Sequence, residues 1–277
     1  MGSGALIILS AIIHAAWNSF AKKTSEPYFE ILGIMSFATV FSLLFIPFFN
    51  TPLFPTVNSF LWSLISGLFE AGYVITLAIS LTQSSLGKAY IVMRGIAMIM
   101  VWFISIEFLG EQINLFNILG IFAVFSGLAL TGKTFDPGHS RQIFFPFICG
   151  LCIAGYHLCY GRSLAHGANP AALFAAAMWI ALPGIFLLMN KKRRQILCKK
   201  IKTGWKGMSF GGALSALSFL LFLLGLRYSE AGLAITLRNT SVVFAQIFAY
   251  WIGEKISSLQ WLGALLVTLG ACLLYSY

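Results

Sequence analysis

The chain has 277 residues, of which 59% are hydrophobic and only 9% charged, whereas a soluble domain carries roughly 25% charged residues. That balance excludes a soluble globular domain and a disordered chain. The net charge is +10, but eight of the 18 Lys and Arg fall between Lys191 and Lys206, beside apolar runs; this reads as membrane orientation and anionic-headgroup contact rather than a nucleic-acid footprint.

Apolar runs of about 20 residues recur along the chain, each long enough to cross a bilayer at 1.5 Å per residue. They lack the alternation of transmembrane strands. The expectation is an all-α integral membrane protein with ten transmembrane helices over 3–21, 30–49, 58–81, 86–106, 113–132, 142–161, 170–190, 206–227, 231–252 and 257–275. The connections are short, so no soluble domain is expected. The first span has no Lys or Arg before it and two lysines after it, which reads as a membrane helix rather than a cleaved signal peptide.

In chain order, span 1 carries His14, Trp17 and Asn18 on one helical face, ahead of Lys22. Span 3 carries Glu70, with Tyr73 three residues on. Span 4 carries Arg94, with Tyr90 a turn earlier, and ends in Glu107 and Gly110-Glu111. Span 5 has Gly120 and Gly127, two turns apart on one face. Span 6 groups Tyr156, His157 and Tyr160 and holds Cys149, Cys152 and Cys159. Cys149-x-x-Cys152 is half a zinc motif without its second pair, so these cysteines read as packing residues and no metal is expected. The basic loop 191–206 joins spans 7 and 8. Span 9 carries Arg238, Asn239 and Gln246 and ends in Gly253-Glu254; span 10 carries Gly263 and Gly270.

One phrase is written twice. Gly110-Glu111…Gly120…Gly127 returns as Gly253-Glu254…Gly263…Gly270, at an offset of 143. Arg94 and Arg238, Ser85 and Ser229, and Gly87 and Ala231 pair at an offset of 144. The chain thus divides into 1–135 and 140–277, with five spans each. An odd number of spans puts the second half upside down relative to the first, as in many secondary transporters, with a site near the midplane. The glycine faces read as close helix packing or dimer contact, and Glu111 and Glu254 as caps or solvated interface groups. Loops after spans 1, 3, 5, 7 and 9 hold 14 of the 18 basic residues, against Arg162 and Arg227 in the others. By the positive-inside rule the loop 191–206 is cytoplasmic and both termini lie outside.

The doubled phrase, the arginine-bearing span 4 and the opening His14-Ala15-Ala16-Trp17-Asn18…Lys22 together resemble the EamA-type repeat of the drug/metabolite transporter superfamily. The resemblance covers essentially the whole chain. It implies ten helices as two inverted five-helix repeats, with spans 1–4 and 6–9 around a central cavity and spans 5 and 10 outside it. It also implies alternating-access movement of amino acids, nucleotide sugars, sugar phosphates or other metabolites. Similar members are described with cytoplasmic termini, where the charge pattern here places them outside.

The intramembrane charges carry the functional reading. An arginine at a helix centre costs about 2.5–3.5 kcal/mol on insertion scales. Arg94 and Arg238 cannot shed a proton, and their forks match carboxylate or phosphate. They suit an anionic substrate; the alternative is internal ion pairs or bonds to backbone carbonyls. Glu70 has Leu214 as its counterpart, so it breaks the repeat. It is the candidate proton-coupling or ammonium-binding residue, or else a counter-ion for an arginine. The candidate substrate-binding set is Arg94, Arg238, Glu70, Trp17, Asn18, His14, Tyr73, Tyr90, Tyr156, His157 and Asn239.

The function expected is secondary active transport of a small anionic or zwitterionic metabolite across the inner (plasma) membrane, coupled to protons or by exchange. Membrane lipid is a partner, a homodimer is compatible with the glycine faces, and nucleic acid is not expected. The alternatives are a membrane-embedded enzyme and a lipid-handling or partner subunit. The chain has no P-loop, no His-Glu-x-x-His, no Gly-x-Ser-x-Gly and only four scattered histidines, so no catalytic residues and no cofactor are expected.

Overall fold

The structure, a computed structural model, describes residues 2–49, 51–109, 114–134, 140–228, 234 and 237–274. The Gly110-Glu111 turn, Ser229 and Ala231 lie outside the described residues. Among those described, the protein is all helical, with no strand. The helices are α1 (Ser3–Lys22), α2 (Pro27–Phe45), α3 (Val57–Gln83), α4 (Leu86–Leu109), α5 (Leu115–Gly132), α6 (Arg141–Ala165), α7 (Pro170–Leu188), α8 (Lys191–Arg227), α9 (Ser241–Trp251) and α10 (Ser258–Leu274). A single 3-10 turn over Ile46–Phe48 follows α2. Eight of the ten are long and apolar enough to cross a membrane, α1 to α8. The described α9 and α10 are shorter, at 11 and 17 residues.

Local chemistry sets the helix ends. Thr56 and Ser59 form a reciprocal capping box at the start of α3, and Asn114 and Asn117 do the same for α5. Asn169 and Asn190 cap α7 and α8 through their side-chain oxygens. Pro27 and Pro170 open α2 and α7, where a proline costs no hydrogen bond.

Two expectations are corrected. The basic stretch 191–206 is not a loop; it is the first part of α8, which runs unbroken for 37 residues. At 1.5 Å per residue α8 is about 55 Å long, well beyond a hydrocarbon core of about 30 Å. Lys, Arg, Gln and Leu are good helix formers. Leu197 is buried and, with Ile201, faces Leu32 and Leu182 of α2 and α7, so the segment keeps an apolar anchor. The other correction is span 9. Residues 237–239 are helical, Thr240 is a turn, and α9 starts at Ser241. Thr240 N–H bonds Leu237 O at 3.3 Å and Val243 N–H bonds Thr240 O at 3.0 Å. The chain tightens to i→i+3 bonding there without Gly or Pro, so Arg238 sits ahead of α9 rather than inside it.

The glycine faces of α5 and α10 pack against each other. A Cβ on Gly120 would lie 2.9 Å from Gly270 O, and one on Gly127 would lie 2.6 Å from Gly263 O. Only glycine allows that approach, and in lipid such close packing replaces the missing hydrophobic drive. Asn117 Nδ2 donates to Leu274 O at 2.7 Å across the same pair.

Side chains tie one end of the bundle. Lys22 Nζ donates to Leu81 O (2.6 Å) and Ser84 O (2.8 Å), capping α3. Glu254 Oε1 accepts from Leu86 N–H at 2.9 Å, satisfying the first turn of α4. Lys88 Nζ donates to Thr134 O beyond α5, and Lys200 pairs with Glu26 between α8 and α2. Glu254 of the repeated phrase is therefore a cap, one of the two roles its turn position suggests.

Candidate functional site

Every one of the candidate substrate-binding residues is buried, and the helices bring them to one central region. None is more than 2% exposed. His14, Trp17 and Asn18 come from α1, Glu70 and Tyr73 from α3, and Tyr90 and Arg94 from α4. Tyr156 and His157 come from α6, and Arg238 and Asn239 from the helical residues 237–239 just before α9. The α1, α3 and α4 sets follow from spacings of three or four residues on one helical face.

One side of the centre is a hydrogen-bond network that holds both Nη atoms of Arg238 and leaves its Nε buried without a partner. Arg238 Nη2 contacts His14 Nδ1 at 3.0 Å, and Nη1 contacts Ser218 Oγ at 3.1 Å and Ser218 O at 3.4 Å. A guanidinium only donates, so His14 Nδ1 is the acceptor and its imidazole is neutral, with the proton on Nε2. Ser218 in turn exchanges bonds with Ser10, whose Oγ donates to Ser218 O at 2.7 Å while Ser218 Oγ donates to Ser10 O at 3.0 Å. The backbone O of His14 accepts from Asn18 Nδ2 at 2.8 Å and Tyr90 OH at 3.3 Å. The Arg238 guanidinium also lies over the rings of Phe222 (4.9 Å) and Phe219 (5.6 Å), where a desolvated cation gains from the ring quadrupole.

The other side is open in hydrogen-bond terms. Nη1 and Nη2 of Arg94 are buried without a partner, as are both ring nitrogens of His157 and both amide atoms of Asn239. So are Trp17 Nε1, Asn18 Oδ1, Tyr73 OH and Tyr156 OH. Native interiors pair nearly all such groups, which sets this part of the centre apart from the Arg238 network. Arg94 lies within electrostatic reach of both His157 and Arg238.

Glu70 is not an ion-pair partner of either arginine. Its Oε1 accepts from Tyr160 OH at 2.7 Å, and its Oε2 has no partner. Arg238 is close enough to act on it through space. The centre therefore holds two guanidinium charges and one carboxyl, an excess of positive charge whatever the state of Glu70. Aromatic rings link the two sides: Tyr156 contacts Tyr73, His157, Tyr160 and Phe219 with centroids 4.5–6.3 Å apart.

Three contributors escaped the sequence reading of the site. Ser218, Phe219 and Phe222 share one face of α8 with Ser215; a serine and two phenylalanines in an apolar helix look like packing. Tyr160 stands on the right face of α6, and the clue to its role is the repeat. At the offset of the doubled phrase, His14 pairs with His157 and Trp17 with Tyr160. No group of three or more His, Cys, Asp or Glu suited to a metal occurs among the described residues.

The EamA-like transporter family model matches residues 3–133 and again 141–276. The chain belongs to the EamA-like transporter family. Members are transporters, and with eight helices able to span a bilayer this one is a multi-pass membrane protein. A solved structure described as "Crystal structure of protein" aligns over 98% of this chain and 94% of that one, with a TM-score of 0.64 and 15% identity. It supports the fold alone. No curated protein matches the chain.

Proposed function

We propose that this EamA-like protein is a secondary active transporter of a small anionic or zwitterionic metabolite. It works by alternating access between two inverted five-helix halves, 1–135 and 140–277, that together span the membrane ten times. The observation that carries the reading is the buried Arg94 guanidinium without a partner, beside His157 with none. A permanent charge held out of water is costly until an opposite charge meets it. A carboxylate or phosphate on the Arg94 fork supplies that charge in a water-poor site, where the bond is strongest. Unpartnered donors at Trp17, Tyr73, Tyr156 and Asn239 fix its orientation, as a small-molecule site requires. The excess positive charge of the centre favours an anion over a cation.

The inverted arrangement is supported by where helix ends meet. Gln83 at the C-terminal end of α3, Arg141 at the N-terminal end of α6 and Arg193 at the N-terminal end of α8 line one groove. Lys22, at the C-terminal end of α1, caps α3 at that same end. Helices α1 and α6, first in their halves, therefore run in opposite directions. We place this basic end in the cytoplasm and the protein in the inner (plasma) membrane, by the positive-inside rule.

The decisive test is counterflow in liposomes with radiolabelled carboxylates, amino acids and phosphorylated metabolites. Exchange that requires Arg94 establishes the reading; chemically altered product, or transport of organic cations alone, overturns it. Glu70 is the coupling residue of this proposal, since its free Oε2 faces the same centre. Glu70→Gln keeps an acceptor for Tyr160 and removes the titrating group. It is expected to flatten the pH dependence of transport without lowering thermal stability; an unchanged pH profile removes Glu70 from coupling.

A further inference from the structure

A second polar-lined cleft lies at the basic end, away from the central site. It is an open groove of about 430 Å3 between α2, α3, α6 and α8. Arg141, Arg193, Thr82 and Gln83 stand at one part of it, and Ile75, Ile79, Phe29 and Phe145 line the rest. From Ile75 to Gln83 along α3 is about 12 Å of helical rise. The groove thus passes from apolar wall to cationic mouth over the depth that separates acyl chains from headgroups.

Among the described residues neither the Arg141 nor the Arg193 guanidinium makes an ion pair or a hydrogen bond. Arg193 is exposed, and its guanidinium rests 5.8 Å from the Tyr28 ring centre. Its neighbour Arg194 is spent on α7, with Nε donating to Met189 O at 2.8 Å and Nη2 to Leu187 O at 2.6 Å. Arg141 is exposed at the first residue of α6, whose N-cap Ser140 makes no side-chain cap bond. The helix starts at Arg141 and Lys191 turn the positive ends of α6 and α8 toward the same region. Gln83 Oε1 is buried without a partner in the groove wall, so the site also offers an amide to a hydroxyl.

We propose that this groove binds an anionic glycerophospholipid of the phosphatidylglycerol type. Its phosphodiester sits between Arg141 and Arg193, its headgroup hydroxyl on Gln83, and an acyl chain along Ile75, Ile79 and Phe145. Charge complementarity selects the lipid, and the apolar wall distinguishes it from a free phosphate. Basic pockets between membrane helices at a headgroup interface have this chemistry. The bound lipid would tie α3 of the first half to α6 and α8 of the second, so its occupancy bears on how the halves move.

The test uses the full chain in a neutral detergent. Dioleoyl-phosphatidylglycerol, dioleoyl-phosphatidylcholine and inorganic phosphate are titrated separately, reading bound lipid by native mass spectrometry and melting temperature. Phosphatidylglycerol is expected to bind and stabilise at about tenfold lower concentration than phosphatidylcholine. That preference is lost in Arg141→Gln/Arg193→Gln and kept in Lys191→Gln/Lys192→Gln, which removes the same charge outside the groove. Arg193→Gln alone, at an exposed position, should halve the preference or more and guards against misfolding of the double variant. Equal loss in the lysine control makes the effect nonspecific charge and overturns the proposal. So does equal binding of the two lipids, or the same stabilisation by inorganic phosphate.

Discussion

Arg94 and Arg238 occupy matching places in the two halves of the chain, yet their surroundings differ. Arg238 is held by His14, by Ser218 and by two phenylalanine faces. Arg94 has no hydrogen-bond partner, and His157, the counterpart of His14, has none either. Each Arg–His pair spans the two halves, and one pair is hydrogen-bonded while the other is not. In the proposed transporter, two inverted halves would adopt unlike conformations whenever one end is shut and the other is not. Matching residues in the two halves thus have unlike surroundings. Under the proposed function the Arg238–His14 pair is scaffold, and Arg94 with His157 is the part that meets substrate.

Removing each arginine in turn tests the asymmetry most directly. Arg94→Gln is expected to reduce counterflow about 100-fold, as loss of a buried charge-assisted contact of 2–3 kcal/mol implies. It should leave the melting temperature unchanged or raised, because it deletes an uncompensated buried charge. Arg238→Gln should instead destabilise the fold by about 1.5–3 kcal/mol, since His14 and Ser218 lose a charged partner. If both variants lose transport and keep stability alike, the two arginines are equivalent and the contrast fails. His14→Ala and His157→Ala extend the test: only the first should lower the melting temperature.

The α5–α10 contact is the opposite case, because there the halves do match. Gly120 and Gly270 face each other, and a Cβ on either would come within 2.9 Å or 2.6 Å of the other's carbonyl oxygen. Gly120→Ala and Gly270→Ala are expected to cost about 1–3 kcal/mol each through overpacking, with similar values for the two. Denaturation in detergent measures both. Strongly unequal costs would show that the scaffold, too, is asymmetric.

Much of the centre was legible because charge and amide groups are expensive in an apolar helix and therefore conspicuous. His14, Glu70, Arg94 and Arg238 stand out for that reason, and all are buried together. Ser218, Phe219 and Phe222 were not legible, since a residue that packs and a residue that lines a site look alike in composition. The length of α8 was hidden by the same logic reversed. Lys191 to Lys206 reads as loop by hydropathy, but hydropathy reports the solvent while Lys, Arg and Gln still favour helix. The turn at Thr240 carries no Gly or Pro to announce it. It stands two residues from Arg238, whose side chain bonds His14 and Ser218 of other helices.

The smallest effect concerns Glu254, which closes the basic end by accepting from Leu86 N–H. Burial raises its carboxyl above the usual carboxylate range, against the opposing pull of that bond and of Lys22. The folded state thus binds its proton more tightly than the unfolded state does. Between the ordinary carboxylate value and the raised one, unfolding releases protons, so stability falls as pH rises through that window. Glu254→Gln keeps a carbonyl for Leu86 N–H and removes the titration, so its melting temperature should lose that slope and match the wild type only in acid. Glu254→Ala loses the cap as well and should cost about 0.5–2 kcal/mol at every pH. If Glu254→Gln retains the wild-type slope, another group sets the pH response. If Glu254→Ala is as stable as Glu254→Gln, the bond to Leu86 does not hold the two halves together at this end.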